Sequence, residues 1–267
     1  MNERLGRYAG RAAAGIILAV GLAGAAHAEG NRTGGTGLYL TESAETLAPG
    51  AFRLGLYGQY LKYDLPADPE DWDLSPQLAW APARNLELAV SLPLLHHHEG
   101  PAGDDTRIGD GSLGLKYSPF PRVAALGFVT LPFDDKAHGG GAGESEVGFA
   151  GIVSLPLGAG VAADLNLGYA FAGGAGDDAL FYGLGLSVPV GGRTKLFGEI
   201  AGRTYGEGHT HDSLEFDLGV RHRLTDRLSV TAGGGSGSRG DYGPHDPAMR
   251  LFAGVTMDFG GAVEQPA

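Results

Sequence analysis

The segment 214–221 shows a strict alternation of apolar and polar side chains. Its even positions are Leu, Phe, Leu and Val, and its odd positions are Glu, Asp, Gly and Arg. A period of two places these two sets on opposite faces of a β-strand. Such a strand fits a soluble sandwich, where the apolar face lies in the core, or an outer-membrane barrel, where the apolar face contacts lipid and the polar face lines the lumen.

The same alternation recurs from residue 51 almost to the end of the chain, in segments of about ten residues. We predict twelve strands, at 51–63, 72–81, 84–94, 107–118, 122–133, 145–156, 160–171, 178–190, 193–204, 212–223, 226–238 and 247–259. An even number of strands about 9 to 11 residues long is typical of bacterial outer-membrane barrels. The 48 glycines also disfavour a helical fold, because glycine costs about 1 kcal/mol relative to alanine in a helix interior.

The connections between these strands alternate between short turns and longer polar loops. The short turns are 82–83, 119–121, 157–159, 191–192 and 225, and the loops are 64–71, 95–106, 134–144, 172–177, 205–211 and 239–246. Outer-membrane barrels have this asymmetry, with short periplasmic turns and longer extracellular loops. The sequence therefore predicts an all-β, membrane-spanning, antiparallel up-and-down β-barrel of about 12 strands with both termini in the periplasm.

The N-terminus has the features of a secretory signal peptide. Three arginines precede an apolar run at 12–26, and Ala26-His27-Ala28 forms a small-residue cleavage site. The run is too short for a transmembrane helix, which needs about 20 apolar residues. We therefore expect a cleaved signal peptide at 1–28, a periplasmic segment at 29–50, the barrel at 51–259, a periplasmic tail at 260–267, and a location in the bacterial outer membrane. A position of 29–50 inside the lumen is the alternative for the second segment.

Parity assigns the side chains to faces. The lipid-facing set is Leu86, Leu88, Val90, Leu92, Val161, Ala163, Leu165, Leu167, Tyr169, Leu180, Tyr182, Leu184, Leu186, Leu251, Ala253, Val255, Met257 and Phe259. It carries no charge, as expected where Arg or Lys at the bilayer midplane costs about 2 to 4 kcal/mol. Aromatic residues gather near strand ends, where interfacial girdles form. Segment 122–133 is apolar on both faces, so its faces cannot be assigned.

The lumen set contains both signs of charge and several glycines. Nine residues are predicted to line a channel: Arg53, Glu87, Lys116, Asp164, Glu199, Arg203, Glu215, Asp217 and Arg221. Acidic groups outnumber basic ones on the lumen face as a whole, and glycines at 55, 114, 148, 168, 183, 185 and 219 leave space. We therefore expect passive diffusion of small solutes, hydrophobic or aromatic ones included, through a narrow charged lumen that favours cations or neutral molecules.

Composition excludes several other functions. The chain has no cysteine, which rules out thiolate metal sites and cysteine nucleophiles. Its formal charge of −12 becomes −14 once residues 1–28 are removed, because they contain three arginines and one glutamate. Such acidity argues against a nucleic-acid partner. We assign no cofactor, no metal ligands and no catalytic residues.

Histidine placement supports an alternative function. His96, His97, His98, His138, His209, His211 and His245 all fall in or beside the predicted extracellular loops. Neutral imidazole binds zinc, copper and nickel, so a non-conducting surface barrel could bind metal ions or a partner through these loops. An outer-membrane acyl hydrolase is disfavoured, because parity directs His211 and Ser213 of the His-Asp-Ser segment inward, away from lipid chains.

Several motifs carry a family resemblance. They are Glu45-Thr46-Leu47-Ala48-Pro49-Gly50, the stretch from Ile108 to Tyr117 (IGDGSLGLKY), and Leu224-Thr225-Asp226-Arg227-Leu228-Ser229. The chain resembles the outer-membrane proteins of the MetA-pathway of phenol degradation family, which implies a barrel that passes small or hydrophobic molecules. Gly254 to Phe259 resembles the closing-strand signal read by the barrel-assembly machinery, although eight residues follow it. These resemblances imply three partners: the assembly machinery, outer-membrane lipid and a small-molecule solute.

Overall fold

The computed structural model describes residues 29–64, 69–100, 103–133, 145–173, 177–206, 212–238 and 247–260, and all of its strands belong to one continuous sheet. The expected signal peptide and nearly all of the expected C-terminal tail lie outside the described residues. The strands are β1 (Phe52–Lys62), β2 (Glu70–Ala83), β3 (Leu86–Ser91), β4 (Leu95–Gly100), β5 (Gly103–Arg107), β6 (Gly111–Phe120), β7 (Val123–Leu131), β8 (Glu146–Gly158), β9 (Val161–Ala172), β10 (Ala179–Pro189), β11 (Thr194–Tyr205), β12 (Ser213–Arg223), β13 (Leu228–Gly237) and β14 (Met249–Phe259). None of the described residues forms a helix long and apolar enough to cross a membrane.

The sheet closes on itself as an antiparallel barrel. Strand β1 pairs with β14 over its whole length and with β2 on its other side, and from β6 to β14 each strand pairs with the next strand in sequence. Strand β2 pairs with β3 along one part of its length and with β4 along the next. On their other side, β3 pairs with β6 and β4 pairs with β5, so β3 with β4, and β5 with β6, each form one barrel strand. The fourteen segments therefore make twelve barrel strands, and the predicted fold class is confirmed.

The predicted loop 95–106 is wrong, because most of it forms the β4–β5 hairpin above the barrel wall. Cross-strand pairs explain this extension. On the inner face, His96 Nδ1 lies 2.6 Å from Asp73 Oδ1 and His98 Nδ1 lies 2.6 Å from Asp71 Oδ1. On the outer face, His97 Nδ1 lies 2.7 Å from the Thr106 hydroxyl. Side-chain pairs of this kind stabilise neighbouring strands, and an apolar pattern does not show them.

The barrel presents an apolar outer surface and a polar inner one. Leu165, Leu167, Leu218 and Leu251 are all more than 40% exposed, whereas the charged side chains of the alternate positions are buried inside. In β7, which had no predicted orientation, Val123 and Leu131 face outward, and the alternate positions face the lumen. Outward aromatics mark both ends of the wall, with the stacked pair Phe52–Phe259 at the periplasmic end and Tyr60–Trp72 at the extracellular end.

The N-terminal segment lies inside the barrel. Residues 29–48, which we call the plug, fill the periplasmic half of the lumen, and most of them are buried. The Pro49-Gly50 turn reverses the chain into β1: the Gly50 N–H donates to the Ala81 carbonyl at 2.7 Å, and Gly50 has a φ of 78°. The sequence had favoured a periplasmic segment and left the lumen as the alternative. Its polar, glycine-rich composition suits a polar lumen as well as water, so composition could not separate the two.

Candidate functional site

The plug folds into two tight turns that expose its backbone to the barrel wall. Isolated bridges join Gly30 to Thr36 and Gly37 to Glu42. Glycine is required at position 37, because a Cβ there would lie 2.1 Å from the Thr41 carbonyl oxygen. Six backbone hydrogen bonds lie within the plug, and the wall supplies partners for several of its other buried N–H and C=O groups.

Glu199, at the middle of β11, holds the tip of the plug. Its buried carboxylate accepts the backbone N–H groups of Tyr39 at 2.9 Å, Leu40 at 3.0 Å and Thr41 at 2.7 Å, together with the Thr41 hydroxyl. A carboxylate that accepts several N–H groups in a dry site makes the stronger, charge-assisted kind of hydrogen bond. Glu199 is therefore a latch for residues 39–41.

A buried charge cluster holds the middle of the plug. Glu87 of β3 accepts the Thr36 N–H at 2.8 Å and the Leu47 N–H at 2.9 Å. Lys116 of β6 lies 3.2 Å from Glu87 and 3.1 Å from Glu42 of the plug. The single lysine thus joins one carboxylate of the wall to one of the plug, so an ion pair links the two in a site removed from water.

Arg221 of β12 holds the start of the plug. Its guanidinium donates to the Gly30 carbonyl at 2.7 Å and the Gly37 carbonyl at 3.1 Å, and pairs with Glu29 at 2.8 Å. Lys195 pairs with the same carboxylate at 3.0 Å. Burial of Glu29 opposes ionisation, but the two cations outweigh it and hold its pKa below the usual range.

Aromatic contacts complete the docking of the tip. Tyr39 is 1% exposed and stacks on Phe252 of β14, with ring centroids 3.7 Å apart. Its hydroxyl donates to Gln59 at 2.7 Å, and the Arg250 guanidinium lies 5.8 Å from the ring centroid. Burial raises the pKa of Tyr39 to about 12, so this hydroxyl keeps its proton at neutral pH.

A cavity of about 670 Å³ lies in the extracellular half of the lumen, above the plug. We call it the vestibule. Its floor includes Arg32 and Thr33, the exposed side chains at the top of the plug, and its wall includes Asp71, Asp73 and Glu215. The carboxylates of this wall give the vestibule an acidic character.

One side of the vestibule carries an aromatic patch beneath an ion pair. Phe128 of β7 and Phe181 of β10 meet edge to face at 5.6 Å. The Arg203 guanidinium lies 6.0 Å from the Phe181 ring centroid and makes two hydrogen bonds to Glu146, at 2.7 and 3.0 Å. This wall can contact an apolar or aromatic solute, whereas the opposite wall can contact a polar one.

The remaining predicted site residues bond mainly within the wall. Arg53 pairs with Asp258 at 2.6 Å. Arg250 joins Glu215 at 2.7 Å to Asp217 at 3.5 Å. Asp164 accepts from the Ser154 hydroxyl at 2.5 Å, and that hydroxyl accepts the Ala44 N–H of the plug at 2.8 Å. Of the nine residues, Glu87, Lys116, Glu199 and Arg221 hydrogen-bond to the plug, and Asp164 is joined to it through Ser154. The Arg53 side chain also lies against Gly30 of the plug.

The space expected beside the lumen glycines is largely occupied. Rings lie flat against three of them: Phe128 against Gly148, Phe181 against Gly168 and Phe197 against Gly219, each with ring atoms under 3 Å from where a Cβ would stand. The side chains of plug residues Leu38 and Thr41 fill the space at Gly185. These glycines therefore make room for inner aromatic rings and for the plug.

Sequence reasoning missed the side-chain partners that only the closed barrel brings together, even where it placed the residue itself on the lumen face, as for Asn166. Glu146 reaches Arg203 across two intervening strands, and Asn166 makes two hydrogen bonds with the backbone of Glu42, both at 2.8 Å. One signal was present: buried charges need partners, and the predicted lumen face held more charged groups than adjacent strands could pair.

The described part of the chain contains no group of three or more His, Cys, Asp or Glu side chains arranged to hold a metal ion. His96 and His98 instead pair with aspartates of β2. Four further loop histidines, His138, His209, His211 and His245, lie outside the described residues, so the alternative of a loop metal site stays a hypothesis, and the disfavoured His211-Ser213 pair is likewise untested.

Solved structures share this fold. No protein-family model and no curated protein matches the sequence. The COG4313 outer membrane channel from Pseudomonas putida F1 is similar, with a TM-score of 0.60 and 18% identity over 81% of this chain and 98% of that chain. The translocator domain of the autotransporter NalP from Neisseria meningitidis has a TM-score of 0.57 at 13% identity, covering 81% and 91% of the two chains. The NanC porin has a TM-score of 0.54 at 8% identity, covering 78% and 100%. At these identities the likeness is one of fold, and the fold is that of an outer-membrane β-barrel.

Proposed function

We propose that the protein is an outer-membrane channel for passive diffusion of small solutes, closed in this conformation by its plug. One observation carries the proposal. The periplasmic half of the lumen is filled by a separate chain segment, which joins the wall covalently only through the Pro49-Gly50 turn. Wall side chains that fill a barrel cannot leave it, whereas a tethered segment can.

The contacts of the plug support a reversible closure. Hydrogen bonds and ion pairs join it to Glu87, Lys116, Glu199 and Arg221. Small apolar clusters, formed by plug residues 38, 39, 44, 47 and 48 with wall side chains, accompany them. Water can replace the polar contacts when the segment leaves, whereas exposing the apolar clusters opposes opening.

The nine predicted site residues then have three roles. Arg203 and Glu215 face the vestibule and contact a solute in the closed conformation. Five residues serve as plug contacts and line the open channel once the plug leaves, and the first two of them also border the vestibule: Glu87, Lys116, Asp164, Glu199 and Arg221. Arg53 and Asp217 act within the wall, through Asp258 and Arg250.

The lining of the vestibule favours the entry of small cationic or neutral solutes. Asp71, Asp73 and Glu215 supply negative potential. The Phe128–Phe181 patch offers an apolar surface, which agrees with the hydrophobic or aromatic solutes implied by the resemblance to the MetA-pathway of phenol degradation family. We propose membership of that family on the motifs given above.

The two ends of the chain have proposed roles in export and assembly. We infer removal of residues 1–28 as a signal peptide, and the buried ion pairs of Glu29 suit its position at the start of the mature chain. We infer recognition by the barrel-assembly machinery through β14, which ends at Phe259. Passive diffusion through a channel requires neither a catalytic group nor a cofactor.

Single-channel recording in a planar bilayer tests the proposal. We compare the full-length mature protein with a variant that lacks residues 30–47, and check that both fold by their heat-modifiable gel mobility. The deletion should give larger and more persistent current steps, with a cation preference in a salt gradient. A folded deletion variant that conducts no ions and admits no solute into liposomes would falsify the channel. The alternative, a surface barrel that binds metal or a partner through its loops, would then take its place.

A further inference from the structure

The five periplasmic turns carry a concentration of positive charge. They are 84–85, 121–122, 159–160, 190–193 and 224–227, and the structure describes all of their residues. Four of the five contain an exposed arginine, namely Arg84, Arg122, Arg193 and Arg227. Asp226 is the single acidic residue in these turns.

The sequence of the opposite end has the reverse charge. The connections 63–69, 132–145, 173–178, 206–212 and 238–248 contain eleven acidic residues and two basic ones. The acidic residues are Asp64, Asp68, Asp134, Asp135, Glu144, Asp177, Asp178, Glu207, Asp212, Asp241 and Asp246, and the basic ones are Lys136 and Arg239. The basic turns therefore stand out in a chain whose formal charge is −12.

The arginines lie at the edge of the lipid-facing surface. Arg122 follows Phe120, which is 66% exposed, by two residues, and Arg227 shares its turn with Leu224, which is 46% exposed. Arg84 follows Trp80 by four residues, and the side chain of Trp80 is 45% exposed. Apolar and aromatic side chains at this height meet the boundary of the hydrocarbon layer, so guanidiniums just beyond them meet lipid headgroups.

Two neighbouring turns are also joined by guanidinium groups, one from the turn residue Arg193 and one from Arg223 at the end of β12. Arg193 Nη1 donates to the Leu224 carbonyl at 3.2 Å, and Arg223 Nη2 donates to the Gly192 carbonyl at 2.8 Å. Each of these bonds uses one of the five N–H groups of a guanidinium. The remaining groups keep the fork geometry that fits two phosphate oxygens at once.

We propose that these arginines bind the phosphate groups of anionic phospholipids in the periplasmic leaflet of the outer membrane. Their arrangement favours lipid over a protein partner. The four turns are spread around the barrel, between β2 and β3, β6 and β7, β10 and β11, and β12 and β13. A globular partner covers one side of a barrel, whereas lipid surrounds it.

Native mass spectrometry of the full-length protein tests this inference. The folded protein is equilibrated with equal amounts of phosphatidylglycerol and phosphatidylcholine, and the retained lipids are counted. The variant replaces the four arginines by glutamine (R84Q/R122Q/R193Q/R227Q). Lys62→Gln, which removes a cation at the extracellular end, is the matched control.

The wild type and the control should retain phosphatidylglycerol in preference to phosphatidylcholine, and added salt should weaken the preference. Each arginine near a charged membrane surface contributes roughly fivefold in affinity, so the fourfold variant should lose at least tenfold of the preference. Replacement of all four by lysine should preserve part of it. Equal retention of the two lipids by the wild type overturns the proposal, as does an unchanged preference in the glutamine variant. If the glutamine variant does not fold, the comparison of the two lipids on the wild-type protein still tests the proposal.

Discussion

Replacing Glu199 by glutamine should open the channel while leaving the barrel intact. The substitution keeps the size of the side chain and removes its charge. Four donors from residues 39–41 converge on this one carboxylate. An amide has one oxygen for these donors and presents an NH₂ group to the rest, so part of the tip of the plug loses its acceptor.

The size of the effect follows from the number of donors. A hydrogen bond to a charged group contributes about 1.5 to 3 kcal/mol and a neutral one about 0.5 to 1.5, so each donor loses about 1 kcal/mol. Removing the charge also removes the cost of burying it, which offsets part of this loss. We therefore expect docking to weaken by about 3 kcal/mol, which raises the ratio of open to closed channels by roughly 150-fold.

The measurement is the fraction of time for which single channels conduct. Glu146→Gln is the control, because Glu146 is a lumen carboxylate whose hydrogen bonds are to Arg203 and not to the plug. The open fraction of the control should stay within about threefold of the wild type. If Glu199→Gln also stays within threefold, while deletion of residues 30–47 opens the channel, then the latch assigned to Glu199 is refuted.

Three further predictions concern the plug itself. Glu29 has a lowered pKa when docked, so it stabilises docking above its ordinary pKa of 4.5 and ceases to do so as the pH falls through the docked value. Conductance should therefore rise on acidification below about pH 4.5, and Glu29→Gln should remove much of that rise. Burial raises the pKa of Glu45, so its ionised form opposes docking as the pH rises through the docked value. Glu45→Gln should therefore lower the open fraction at pH 7. An increase in the open fraction would contradict the expected destabilising effect of this carboxylate. Tyr39→Ala should weaken docking by about 3 kcal/mol because the buried ring is lost, whereas Tyr39→Phe should cost about 1 kcal/mol; equal open fractions of the two variants would refute the stacking role.

The fold could be predicted from the sequence because each strand carries its own evidence. A period of two assigns both faces of a strand such as 214–221 without knowledge of its neighbours. Strand ends were less certain, since they depend on pairing. The β4–β5 hairpin is held by His96 with Asp73 and His98 with Asp71, and nothing within 95–106 indicates those partners.

The position of the plug could not be predicted from a hydrophobic pattern. Residues 29–48 have no period, and their position is decided by partners far away in sequence, such as Glu199 for Tyr39. Parity placed Glu199, Arg221 and Lys116 on the inner face, and the structure has all three buried there. It could not tell a side chain that faces water in a lumen from one that bonds a buried chain segment, because both are polar and inward.

The same wall groups therefore have two alternative sets of partners. In the closed conformation Glu199 accepts N–H groups of the plug, and Glu87 accepts two more beside Lys116. When the plug leaves, those carboxylates are returned to water, and a passing cation becomes the group that can neutralise them. A ligand that binds one of two conformations shifts the balance toward it. In the proposed channel, opening and cation preference are thus coupled through the same side chains, because the acceptors that hold the plug would become acidic lining of the open lumen.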